Sequence, residues 1–577
     1  MALLTGLAIA LVAAQAVDRG AILDSPGQEW LTYGGDYAET HYSPLDEVDR
    51  STVGRLGLAW AWEITGTAGT LEATPLVSDG VLYATGTWSH VFALDAATGA
   101  LKWRWDPAIV RSRQDGGPSL CCGPANRGVA LWGDTVYVGL LDGRLVALDK
   151  DTGLPEWVVQ TTPVGTDYSI TGAPRVIDGK VIIGNAGAEF GVRGYVTAYD
   201  AETGNQIWRF HTVPGNPADG FENEAMRHAA RTWSGEWWVM GGGGTVWDGM
   251  AYDAEAHLLY IGVGNGSPWN QGIRSPLGGD NLYLASIVAL DPDDGEMVWY
   301  YQVTPADNWD YTATQPMMLL DLQIDGRERK VLVQAPKNGF FYVIDRVTGE
   351  FISAAPYSDD ITWASGVDPQ TGRPIENPQA RYEVTGEGAW VSPGPGGAHN
   401  WQPMAFSPQT GLVYFQAGSS RYWYNDVRNI REWEYRPGEY NEGVTTSRGG
   451  EPRPDPPSLN GGSVFLAWDP RTNEEVWRVE RQGSSGTLAT GGNLVFRGGG
   501  GRLYAHDPAT GGVLWSGYVG GNSLATPVTY EINGRQYIAV EVAGGGGGGG
   551  RGGRGGAAAT PARMMAFTLD GEPLPEP

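Results

Sequence analysis

The chain has only two cysteines in 577 residues, Cys121 and Cys122, and they are neighbours. A bond between neighbours closes no stretch of chain, so a stabilising disulfide framework is excluded. No Cys-x-x-Cys-His motif is present, which excludes covalent attachment of a c-type haem within these residues. The seven histidines show no metal spacing, and a zinc site finds no support. Lysine and arginine are scarce, 39 against 66 aspartates and glutamates, for a net charge of −27. Nucleic acid is thereby excluded as a partner, because phosphate backbones need basic stripes. An acidic surface serves solubility, and it also suits the steering of a basic partner. No P-loop occurs, and the glycine runs at 241–244 and 498–501 precede no amphipathic helix pattern. Apolar runs are short. The most marked, Leu3 to Ala14, is too short to span a membrane comfortably. With Ala14-Gln15-Ala16 behind it, residues 1–16 read as a signal peptide, although no Lys or Arg precedes the run. Export to a bacterial periplasm is expected.

Glycine and tryptophan are what the chain has in abundance, 87 and 24 residues. Glycine and aromatics with few charges disfavour helices and favour short strands joined by turns. One phrase recurs: VFALDAATGALKWRW (91–105), VALDKDTGLPEW (146–157), VTAYDAETGNQIWRF (196–210), VALDPDDGEMVWYY (288–301), VIDRVTGEFI (343–352), LAWDPRTNEEVWRV (466–479) and YAHDPATGGVLW (504–515). Each is an alternating strand, an Asp-x-x-Thr/Asp-Gly turn, and a second strand usually closed by Trp. Companion strands lie between them, such as GVLYATG (80–86) and NLVFRGG (493–499). Related cues at 251–260 and 405–414 bring the count to about eight or nine.

Four-stranded repeats with a Trp closure describe one large all-β β-propeller. Residues 17–577 are read as one such domain. The alternative, a stacked β-solenoid, fits less well with long repeats carrying aromatic signatures. A Gly/Arg-rich low-complexity insert occupies about 544–562, and MMAFTLDG (564–571) reads as a last strand returning to close the ring.

Three oxygen-bearing residues stand out next to these strands: Glu189 in NAGAEFGVRG, Asn265 in YIGVGNGSPWN and Asp310 in TPADNWDYTAT. Singly, each is an ordinary turn residue. As a set without sulfur or imidazole they suit a hard cation, most naturally calcium.

Four separated motifs then carry a resemblance. CCGPANRG, the Gly-Ala-Glu-Phe-Gly-Val-Arg-Gly stretch from Gly187 to Gly194, GGGTVW ending at Trp247, and Trp309-Asp310 after Thr-Pro occur in one order along the repeats. In this the chain resembles the quinoprotein, PQQ-dependent alcohol dehydrogenases of the methanol/ethanol dehydrogenase family, from about Trp30 to Leu574. The resemblance implies a disulfide between Cys121 and Cys122, pressed on one face of PQQ, with Trp247 stacked on the other. It implies that Arg127, Thr171, Ala188, Thr245 and Glu72 line the cofactor, that Lys337 donates to its quinone oxygens, and that Asn400 and Trp401 add contacts. Glu189, Asn265 and Asp310 would surround calcium, with Asp310 the catalytic base. Lanthanide-using members carry a second Asp two residues after that base, where this chain has Thr312. The resemblance further implies an eight-bladed β-propeller, a primary or small alcohol as substrate, with a sugar, polyol or polymeric alcohol in the alternative, and a cytochrome c that takes the electrons. A non-catalytic propeller scaffold is the reading from another class, and homo-oligomerisation stays open. The polar insert at 428–450 departs from the pattern.

Overall fold

A computed structural model describes residues 16–25, 27–66, 71–426, 433–444, 453–521, 525–544 and 561–575. The signal-peptide reading, most of the Gly/Arg-rich insert and much of 428–450 lie outside these residues.

Eight antiparallel sheets stand around one axis. Blade 1 is Leu76–Ser78, Val81–Thr85, Val91–Asp95 and Leu101–Trp105, in chain order from the inner to the outer strand. Blades 2 to 7 repeat this order, with outer strands Pro155–Gln160, Gln206–His211, Met297–Gln302, Phe351–Pro356, Glu474–Glu480 and Val513–Tyr518. Blade 8 joins the two ends of the chain. Its inner strands are Val528–Ile532, Arg535–Val542 and Arg563–Leu569, and its outer strand is Leu56–Glu63 from the N-terminal side. The strand expected at 564–571 therefore closes the ring. The cues at 251–260 and 405–414 are not blades of their own. They are inner hairpins of blades 4 and 6, which the phrases at 288–301 and 466–479 had already counted. A tight turn between strands looks alike wherever it falls in a blade.

The recurring phrase folds as one device. In the turn of blade 1, Asp95 accepts from the backbone N–H of Thr98 at 2.9 Å and from its hydroxyl at 2.8 Å. Gly99 closes the turn with φ of 72°. The carbonyl next to the Asp then points out, and Trp60 of blade 8 donates its indole N–H to Ala96 O at 2.9 Å. The same donation links Trp103 to Lys150, Trp157 to Ala201, Trp208 to Pro292, Trp299 to Arg346 and Trp477 to Pro508. A tyrosine on the inner strand often takes the same carbonyl's other lone pair, as Tyr530 does on Ala96 at 2.7 Å and Tyr260 on Arg346 at 2.8 Å. Glycine is needed in the turn twice over. Its φ is positive, and a Cβ at Gly295 would meet the Trp208 ring at 2.6 Å.

One end of the axis is plugged by residues 30–48. Their backbone pairs with Val77, Tyr252, Leu319, Phe406 and Ala489, on the inner strands of five different blades. Buried Glu39 and His41 come to lie on this plug. No helix among the described residues is long and apolar enough to cross a membrane.

The docking predicts two separable losses, read from denaturant midpoints. Trp208→Ala removes ring and hydrogen bond together and costs about 3–5 kcal/mol. Gly295→Ala keeps the tryptophan but forces a Cβ into it at positive φ, and costs about 1–3 kcal/mol.

Candidate active site

At the end of the axis opposite the plug lies a cavity of ≈ 230 Å³. Two kinds of loop build it. Lead-in segments, just before the innermost strands, bring Glu72, Arg127, Thr171, Trp247, Asp310 and Trp401. Loops after the second strands bring Glu189, Asn265 and Lys337. Residues far apart in sequence meet because every blade points these loops at the same end.

Arg127 is the hub of one wall. It forms ion pairs with Glu72 at 2.8 Å and Asp248 at 3.3 Å, and donates to the Thr171 hydroxyl at 2.9 Å. Its guanidinium lies over Trp247 at 4.8 Å and Trp401 at 5.6 Å. Burial pushes the Asp248 carboxyl up, while Arg127 and Arg175 pull it down. Arg175 in turn pairs with Glu39 at 2.7 Å and lies over Tyr33 at 4.0 Å. An alternating ladder of charge thus runs from the cavity to the plug, each cation held by carboxylates on both sides. Sequence reading missed Asp248, Arg175, Glu39 and Tyr33. Asp248 follows Trp247 directly, and an acid beside a cavity tryptophan was the only available signal; the other three carry none.

Asp310 sits on the lead-in segment of blade 5, at φ of 66°, in the left-handed region that non-glycine residues avoid. Its neighbours hold it there. Asp307 accepts from the N–H groups of Trp309 at 3.1 Å and Tyr311 at 2.9 Å. Tyr424 donates to Trp309 O at 2.7 Å, and Arg381 lies over the Trp309 ring at 4.6 Å. Lys337 Nζ reaches the Asp310 carboxylate at 3.1 Å and its carbonyl at 3.0 Å. Burial pushes Asp310 far above the usual carboxylate range; Lys337 opposes this, and Glu189 adds to it. Two carboxylates thus face each other in a nearly dry space.

Cys121 and Cys122 are joined by a disulfide, Cα to Cα 3.8 Å, and both line the cavity. The flanking glycines do different jobs. Gly116 and Gly123 have φ of 92° and open space around them, so conformation demands glycine there. At Gly117 packing demands it instead, since a Cβ there would lie 2.2 Å from Val110 O. A described part of the polar insert, 433–444, crosses over this rim. Tyr440 donates to Cys121 O at 2.7 Å, and Asn441 N–H to Glu189 O at 2.8 Å.

Of the expected site residues, Glu72, Cys121, Cys122, Arg127, Thr171, Glu189, Thr245, Trp247, Asn265, Asp310, Lys337, Asn400 and Trp401 all line this one cavity. Ala188 does not. It is buried at the start of the turn Ala188–Phe190, and Gly187 and Ala186 form the wall instead.

A family described as PQQ: glucose/ethanol/alcohol dehydrogenase, β-propeller domain, matches residues 30–356 and 466–538. The chain belongs to this PQQ-dependent alcohol dehydrogenase family. The quinohemoprotein alcohol dehydrogenase ADH IIB of Pseudomonas putida is 49% identical over 574 residues, which cover 98% of this chain and 81% of that protein. The quinohemoprotein alcohol dehydrogenase of Comamonas testosteroni has a solved structure. It superposes with a TM-score of 0.89 at 46% identity, over 97% of this chain and 84% of that one. A europium-containing methanol dehydrogenase matches with a TM-score of 0.80 at 31% identity, over 95% of this chain and 99% of that one. The family is enzymatic, which sets aside a non-catalytic scaffold, and its chemistry is PQQ-dependent alcohol oxidation.

The charge ladder makes a prediction for the cofactor-free protein. Arg127→Leu removes the cation that sits between buried Glu72 and Asp248, and costs about 3–5 kcal/mol in urea unfolding. Adding Asp248→Leu to it recovers part of that loss.

Proposed function

We propose that the chain oxidises a small primary alcohol to the aldehyde in the periplasm, with PQQ and calcium in the axial cavity and a cytochrome c as electron acceptor. The observation that carries this reading is the convergence of a base, two cations, an oxygen ligand set and a flat aromatic wall in one cavity.

The donor set fits both groups. PQQ is planar and carries three carboxylates. Arg127, the Thr171 and Thr245 hydroxyls and the Trp247 ring suit those features, with the Cys121–Cys122 disulfide as a second wall. Glu189, Asn265 and Asp310 offer oxygen alone, and the mutual repulsion of Glu189 and Asp310 favours a cation near them. PQQ, when bound, supplies the acceptor for a hydride from the alcohol carbon, and calcium supplies a Lewis acid beside it.

The protein's own residues do the rest. Asp310 Oδ takes the proton of the alcohol hydroxyl as general base. Lys337 steadies that carboxylate, and its ammonium can also donate to an oxygen that gains negative charge. Arg127 fixes orientation through its clamp between Glu72 and Asp248. The 433–444 segment ties the disulfide rim to the Glu189 loop and limits water. No haem-attachment motif occurs in these residues, so the electrons pass to a group outside them, and the name of the 1-butanol dehydrogenase (cytochrome c) of Thauera butanivorans, 44% identical, supports a cytochrome c.

Calcium is favoured over a trivalent ion by Thr312. Its hydroxyl is engaged by Gln315 at 2.9 Å and Thr314 at 3.0 Å, and it does not line the cavity, so no second carboxylate stands there.

The test is reconstitution with PQQ and calcium, followed by dye-linked oxidation of methanol, ethanol, glycerol and glucose. Turnover highest on a small primary alcohol is expected; no PQQ absorbance and no activity on any of them overturns the proposal. Asp310→Asn should retain bound PQQ and lose about 10²–10⁴-fold in turnover. Near-normal turnover would remove Asp310 from the base role. In metal-free protein, calcium should restore activity better than lanthanum, and the reverse order would contradict the ion assignment.

A further inference from the structure

Beside the axial cavity, and sharing Asn400 and Trp401 with it, lies a second cleft of ≈ 250 Å³ on the rim of blade 6 next to blade 7. Arg481, Ser419, Ser420, Ser484 and Gln402 line it, and no aspartate or glutamate does. That is unusual in a chain with 66 acidic residues.

Arg481 follows the outer strand of blade 6. Its nitrogens donate to backbone carbonyls only: Val464 at 3.0 Å, Ala417 at 3.2 Å, and Gly483. These carbonyls satisfy N–H groups but bring no charge. Arg497, on the second strand of blade 7, is 3% exposed. It donates to His506 Nε2 at 3.1 Å and lies over Tyr504 at 4.5 Å and Phe465 at 5.3 Å. Burial pushes His506 down to about 4, so this partner is neutral. Among the described residues no carboxylate acts on either guanidinium. Burial, and then the field of Arg497, hold Arg481 down to about 10. Arg127, the arginine that lines the axial cavity, is by contrast clamped by acids. The half-buried Arg481 guanidinium, in the field of buried Arg497 and beside three serine hydroxyls with no acid in the lining, forms a receptor for an anion.

We propose that this cleft is an oxyanion site, which takes a carboxylate or phosphate group between Arg481 and the Ser419, Ser420 and Ser484 hydroxyls. Arginine's planar fork suits such groups. The anion is either the charged end of an alcohol that reaches the axial cavity past Trp401, or a free small anion. The site itself does not depend on the alcohol-oxidation reading.

The experiment titrates the full-length protein with inorganic phosphate, and with sulfate, at constant ionic strength, by calorimetry. Saturable binding is expected in the wild type and at least a tenfold loss of affinity in Arg481→Gln. Arg481→Lys keeps the charge but not the fork, and should fall between the two. PQQ affinity, followed by quenching of tryptophan fluorescence, should be unchanged in both variants, which separates a local loss from a folding defect. No saturable binding in the wild type, or equal affinity in all three proteins, overturns the proposal. Should Arg481→Gln not fold, Arg481→Lys decides by the same criterion. A kinetic arm then distinguishes the sources. Phosphate that inhibits oxidation of a short ω-hydroxycarboxylate, but not of the neutral alcohol of equal length, assigns the anion to the substrate. Phosphate that binds without affecting either assigns a free anion. Both results retain the oxyanion site, and the first further requires the alcohol oxidation.

Discussion

The ring depends on one contact, repeated: an indole N–H from one blade docked on the carbonyl beside the Asp of the next blade's turn. It makes the turn a receptor as well as a connector, and it explains why Asp, Thr, Gly and Trp travel together along the chain. Among the described residues six of the eight seams show this donation, and one of the two exceptions supports the rule. Blade 5 carries Phe351 where its neighbours have Trp, and the turn it should meet, in blade 6, has Asn473 in place of glycine. There the polarity reverses. Asn473 donates back to Ser353 at 2.9 Å and to Phe341 O at 3.3 Å, and accepts from Trp468 at 2.8 Å. With no indole to admit, the turn no longer needs the bare backbone of glycine, and a side chain takes over the bridge.

A ring held in this way gives its loops a common origin. Lead-in segments and second-strand loops of all blades converge at one end, and the plug formed by residues 30–48 occupies the other. The site can therefore hold chemically opposed groups close together. Arg127 and its carboxylates are fixed by separate blades, Lys337 and Asp310 by two loops of blade 5, and none has to bend its own strand to reach a partner. The ladder from Glu72 through Arg127, Asp248 and Arg175 to Glu39 shows the consequence. Charges that would be prohibitive singly are stable in alternation, because each desolvated group sees the opposite sign on both sides. The Asp310 loop works differently. Its left-handed residue and its crowded carboxylates are kept by a fully buried aromatic shell of Trp309, Tyr311 and Tyr424, as is common where a rigid surround supports a reactive group.

The rim beside this cavity breaks that pattern of compensation. Blades 6 and 7 bring two guanidiniums together with hydroxyls but without an acid, although the molecule as a whole is strongly acidic. The contrast within one protein is what gives the oxyanion cleft its meaning.

The sequence by itself determined the architecture and the chemistry of the axial cavity. Tryptophan closures, Asp-x-x-Thr-Gly turns and the motifs around Cys121, Glu189, Trp247 and Asp310 are local, and local patterns survive in a one-dimensional reading. It overcounted hairpins at 251–260 and 405–414, because an inner and an outer turn use the same residues. Only the tertiary structure decided what depends on meeting across blades: that Leu56–Glu63 pairs with Arg563–Leu569, that Glu39 of the plug reaches Arg175, that Asp248 clamps Arg127, and that Arg481 and Arg497 share a field without a carboxylate. Charge compensation is a property of neighbours in space. Residues brought together from opposite ends of a closed ring leave no trace of it in their spacing.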